Sequence, residues 1–186
     1  MAPRPARLEE MTSQRDALEK IAELIRKGSV DGEVLQAAKK IVRDCSARDD
    51  LCELEAIFQA VKYGDSRIPW LKKGMRYVAD PYPFDTFHSA SAMIESCRSG
   101  ACSGDCDDAT ILVGSLAASI GFMVGARAWG PGRSGDYAHV YPVAAVPKNG
   151  PWPKDYFGHG LDITVPQSEV GWEPSGGHFM TAWVNG

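Results

Sequence analysis

Apolar residues recur at three- and four-residue intervals through the first third of the chain. Leu8, Met11, Leu18, Ile21, Leu24 and Ile25 form one stripe ending at Gly28; Val34, Leu35, Ala38, Ile41, Val42 and Cys45 form a second after Asp31. Leu51, Leu54, Ile57, Phe58 and Val61 form a third that stops at Gly64. This period predicts three amphipathic helices, because residues three and four apart share a helix face. Thr86 to Cys97 reads as a fourth, with Phe87, Ala90, Met93, Ile94 and Cys97 inward. From Asp107 to Ile120 the chain is apolar on nearly all sides after an acidic first turn, and it stops at Gly121. That predicts a buried helix whose acids complement its dipole and whose end is closed by glycine.

Beyond Gly121 the period changes to two. Phe122–Trp129 and Tyr137–Val146 predict an antiparallel hairpin around a Gly/Pro/Ser turn at 130–135, and Gly160–Val165 predicts a short third strand. Ser66–Gly74 lacks either period and reads as an insertion. The fold class expected is α+β: one main domain over 65–186, joined by the helix at 47–63, with an N-terminal helical extension within 1–64. The break at Gly28–Gly32 predicts that the extension moves freely as an arm, contacting a protein partner or a second copy.

With 186 residues, 44% of them hydrophobic, the chain can bury a core of its own. The net charge of -4 gives no reason to expect a nucleic-acid partner. No apolar run approaches the roughly 20 residues of a membrane span, and Met-Ala-Pro-Arg-Pro-Ala-Arg lacks the apolar core of a signal peptide. The expectation is a cytoplasmic protein without a membrane partner, or a component of a larger assembly.

The chemistry concentrates in Gly104-Asp105-Cys106-Asp107-Asp108-Ala109, where a cysteine opens the buried helix. A helix N-terminus offers partial positive charge and unused N–H groups that favour a thiolate. Asp105, Asp107 and Asp108 pull the other way as like charges. His139 and then Asp162 follow downstream, on the hairpin and the third strand. A thiol acyl-transfer site needs that set: an imidazole takes the thiol proton and a carboxylate fixes the imidazole tautomer. No cofactor or metal is expected, since Cys97, Cys102 and Cys106 are spaced Cys-x4-Cys-x3-Cys rather than as a Cys-x2-Cys knuckle, and no second pair follows. Cys97 and Cys102 read as a disulfide or as regulators of Cys106. Cys45 and Cys52, on helical faces, read as inert core thiols. His88, His159 and His178 read as surface or locally bonded groups, and Trp129, Trp152, Trp172 and Trp183 as core.

The run Asp80-Pro81, Gly104-Asp105-Cys106-Asp107-Asp108-Ala109, Gly121-Phe122, Ala138-His139-Val140-Tyr141 and Leu161-Asp162-Ile163-Thr164 resembles the bacterial transglutaminase-like family, a branch of the papain-like thiol fold. The resemblance spans about residues 65–175. It implies a helix bearing the cysteine packed on a small antiparallel sheet, with a Cys106, His139, Asp162 triad. It also implies a thiol enzyme acting on an amide or peptide carbonyl of a peptide or protein substrate, by hydrolysis or by transfer. This chain departs from the family pattern in having Asp107 where animal-type members have tryptophan, and Ile163 where many have proline. Members without activity exist, so the alternative is a structural or assembly protein, such as a tailed-phage virion component, that keeps the fold.

Overall fold

The computed structural model describes residues 14–79, 86–133, 136–153 and 156–184. Leu8 and Met11 of the first stripe, the Asp80-Pro81 element, and positions 134–135 of the hairpin turn lie outside the described residues. The elements run α1 (Gln14–Ser29), α2 (Gly32–Ile41), α3 (Asp50–Tyr63), β1 (Arg76–Tyr77), α4 (Ala90–Arg98), β2 (Ser103–Gly104), α5 (Cys106–Ser119), β3 (Val124–Gly130), β4 (His139–Ala144), β5 (His159–Gly160) and β6 (His178–Trp183). The protein is α+β. No described helix is long and apolar enough to cross a membrane.

Side-chain caps set most helix starts. Asp31, Asp49, Ser89 and Asp105 each accept backbone N–H groups of the turn they precede, satisfying donors that have no partner within the helix. The most apolar helix, α5, is buried from Asp107 through Ala117 and forms the centre of the molecule. Its broadest packing partner is α1. Leu18, Ile21, Ala22 and Ile25 of α1 are all buried in the same core. Two glycines fix how closely these helices approach: a Cβ on Gly28 would stand 2.2 Å from Ser115 Oγ, and one on Gly114 would stand 2.8 Å from Ile25 Cδ1. The N-terminal helix is therefore part of the core, and the freely moving arm expected from the Gly28–Gly32 break is not what the chain forms.

Against α5, and against α1 beside it, packs a four-stranded antiparallel sheet of order β5-β4-β3-β6. Its inner face is built from the small residues Ala126, Ala128, Val140 and Ala144, which join the helical core. By strand alternation its outer face carries Arg127, Tyr141 and Thr181, aligned across three strands. The chain between β4 and β6 folds over that face.

Several expectations need correction. The supposed insertion buries Ile68, Trp70 and Leu71 in the core. The third strand shrinks to His159–Gly160, with Leu161, Asp162 and Ile163 buried but outside the ladder. A further strand, β6, pairs with β3 although its faces are only half buried, which blurs the alternation that would mark it. Cys45 and Cys52 form a disulfide instead of remaining inert thiols, whereas Cys97 pairs with Cys102, one of the two uses expected of them. The fourth helix begins at Ala90, so His88 precedes it.

Candidate active site

Cys106 is the first residue of α5 and the one unpaired thiol among the five cysteines. Gly104 leads into it with no room for a side chain, since a Cβ there would stand 2.6 Å from the Asp108 side chain. The Asp105 carboxylate accepts the N–H of Asp107 at 3.1 Å and of Asp108 at 3.3 Å. The donors expected to favour a thiolate are thus turned to a carboxylate. The thiol itself donates to Asp107 Oδ1 at 3.5 Å and lies against the backbone N–H of Val140. Burial pushes the Cys106 thiol far above the usual range, the Asp107 and Asp105 carboxylates push it further, and the Val140 N–H opposes them only in part. The resting form is a protonated thiol.

His139 opens β4, and its Nε2–H donates to Asp162 Oδ2 at 2.6 Å. Asp162 is 1% exposed. Its second oxygen accepts the backbone N–H of Thr164 at 2.9 Å and the Thr164 hydroxyl at 2.7 Å. Burial alone would raise this carboxyl, but His139 and Thr164 together hold it below the ordinary carboxylate range. The turn after it is anchored by Lys62 of α3, whose ammonium donates to Val165 O at 2.9 Å and Ser168 O at 2.8 Å. Two segments distant in sequence, β4 and α3, thus hold the acid and its turn.

Cys106 and His139 line one cleft of about 370 Å³. Its walls include Gln14, Leu18 and Ile21 of α1, together with Tyr77, Phe87 and Tyr137. Among the described residues no hydrogen bond joins Sγ to the imidazole: at the start of β4 the His139 ring shares the outer face with Tyr141, while Cys106 meets the strand at the Val140 N–H. Since Asp162 takes Nε2, Nδ1 is the ring nitrogen left for proton exchange. Gln14, on the cleft wall, ties α1 to the segment before β4: its amide donates to Asp136 Oδ1 at 3.3 Å and accepts the Tyr137 N–H at 3.2 Å. Reading α1 as an arm hid this contribution.

A second histidine–carboxylate pair lies nearby. His88, half exposed, donates from Nδ1 to Asp108 at 3.0 Å and from its backbone N–H at 3.1 Å. Burial pushes the Asp108 carboxyl up to about 6 against the opposing pull of His88. His159 is lowered by burial, and His178 donates from Nδ1 to Gly132 O at 2.9 Å. Trp129, Trp152, Trp172 and Trp183 are each half buried, and none lines the Cys106 cleft. No group of three or more metal-ligating side chains occurs among the described residues.

The sheet's outer face supplies residues that the sequence reading passed over. Arg127, 1% exposed, donates from Nη1 to Glu173 Oε1 at 2.9 Å, and the Tyr141 hydroxyl donates to Glu173 Oε2. Tyr141 stacks on His139 with 5.7 Å between ring centroids. A lone arginine within the apolar strand Val124–Gly130 was the available signal. A scan against family models and searches of curated proteins and of solved structures each gave no match.

Proposed function

We propose that this protein is a thiol-dependent acyl-transfer enzyme acting on an amide or peptide carbonyl, with Cys106 as nucleophile, His139 as proton carrier and Asp162 as its orienting acid. The observation that carries the reading is the pairing of His139 with a buried, ionised Asp162 in the same cleft as the chain's one free thiol. A cysteine at the start of a central helix facing an antiparallel sheet also supports the transglutaminase-like, papain-like fold suggested by the motifs.

Because the thiol is protonated at rest, proton transfer must accompany attack. Sγ bonds to the carbonyl carbon while its proton passes to His139 Nδ1, and Asp162 stabilises the imidazolium that forms. The Cys106 backbone N–H, left out of the Asp105 cap, is the available donor to the developing oxyanion. Collapse breaks the carbon–nitrogen bond, His139 returns its proton to the departing amine, and a thioester remains. Water attacking that thioester gives hydrolysis; an amine gives transfer. The substrate is a peptide or protein, with hydrolysis the preferred outcome.

The non-enzymatic alternative, an assembly component such as a virion protein, draws support from the thiol being bonded to Asp107 rather than to His139. Two disulfides favour an oxidising compartment over the cytoplasm expected from the sequence. The test is incubation with labelled casein, with and without monodansylcadaverine. The wild type is expected to release peptides or incorporate the amine, and Cys106→Ser to do neither while keeping its unfolding temperature. Equal turnover by Cys106→Ser would overturn the enzyme reading, and an inert wild type would favour the assembly reading.

A further inference from the structure

We propose that Tyr141 and Glu173 are positioning residues for His139, forming with Arg127 a hydrogen-bonded relay on the outer face of the sheet. The inference rests on the Cys106–His139–Asp162 reading above and concerns what holds the imidazole in place.

Asp162 fixes one nitrogen of His139 but leaves the ring free to tilt about that hydrogen bond. Tyr141, two residues along β4 and on the same face, closes that freedom: the two rings are 25° from parallel. Tyr141 is itself held at its far end, where its hydroxyl donates to Glu173. Glu173 is held in turn by Arg127, and Arg127 uses its remaining donors on Thr181 Oγ1 at 3.0 Å and on Phe157 O. The guanidinium also lies over the Phe157 ring, 3.6 Å from its centroid. Each member of the chain from His139 to the loop covering the sheet therefore has a fixed neighbour on both sides.

Packing alone does not call for this arrangement. A buried ion pair adds little net stability compared with apolar residues of the same volume, and Arg127 and Tyr141 are each only 1% exposed. Its specific product is orientation, of the imidazole above all. A charge effect accompanies it. The groups facing the His139 site are Asp162 beyond β5, Cys106, Asp105 and Asp107 at the α5 end, Tyr141 on β4, and Glu173 with Arg127 behind. Removing the Glu173 charge leaves the Arg127 cation uncompensated, which disfavours the imidazolium.

The experiment follows p-nitrophenyl acetate acylating Cys106 in the full, disulfide-intact chain across pH, alongside an NMR titration of the His139 ring. Tyr141→Phe is expected to slow acylation about 10- to 100-fold through misplacement of the base, and Tyr141→Leu to slow it further. Glu173→Gln is expected to move the acid limb of the rate profile and the His139 titration midpoint to lower pH together. Glu173 is partly exposed, so this variant tests the relay even where a Tyr141 variant fails to fold. Wild-type rates and an unmoved His139 midpoint in these variants, with acylation lost in Cys106→Ser, would overturn the relay and leave the triad standing. Acylation that persists in Cys106→Ser, or is absent from the wild type, would overturn the triad and the relay with it.

Discussion

At Cys106 two opposing influences meet, and the carboxylates win. The helix end favours a thiolate by a fraction of a kcal/mol to about 1 kcal/mol, whereas burial and two adjacent acids hold the proton on sulfur. Iodoacetamide is therefore expected to alkylate Cys106 only well above the pH of a free thiol, about 8.5. Asp107→Asn should bring that pH down, read as adduct formation by mass spectrometry; an unchanged profile would show that Asp107 does not govern the sulfur. Asp108 gives a second pH effect. Its folded-state value of about 6 lies above the ordinary 3.8, so its contribution to stability is full below that lower value and is lost as pH rises through the upper one. The difference corresponds to at most about 3 kcal/mol. Denaturant unfolding should thus show stability falling between about pH 4 and 6, and Asp108→Asn should flatten that slope. Cys106, His139 and Asp162 were legible because each sits in a short run whose residue types leave few uses. The Asp105 cap and the Asp107 contact were not, since three consecutive-looking acids give no clue to where each carboxylate points.

At the scale of elements, α5 and the hairpin were readable from periodicity alone. An all-round apolar helix has to be buried, and a period-two hairpin must cover one side of it. What covers the rest of α5 was not readable, because a stripe on α1 says only that one face is apolar. The decisive detail lies in Gly28 and Gly114, whose missing side chains let α1 and α5 approach. Gly28→Val is expected to force the helices apart at a cost of about 1–3 kcal/mol, lowering the thermal midpoint. Because Gln14, Leu18 and Ile21 line the cleft, the same substitution should also disturb Cys106 reactivity. A midpoint equal to wild type would show that the contact yields easily.

At the scale of the molecule, the two disulfides bind local loops, with pairs 7 and 5 residues apart. In the chain-entropy view, closing loops this short contributes about 2 kcal/mol each. Dithiothreitol is expected to lower the unfolding midpoint, with Cys45→Ser/Cys52→Ser and Cys97→Ser/Cys102→Ser each reproducing part of the loss. Cysteine spacing suggested Cys97–Cys102 but not Cys45–Cys52, because Cys45 falls beyond the end of α2 and Cys52 on α3, and only the turn between them brings the sulfurs together. The same bookkeeping of sulfur has a practical side. With four cysteines committed to each other, the folded chain presents a single addressable sulfur in its cleft. One fluorophore attached there would report the cleft's polarity, its occupancy and its opening without any engineered labelling site.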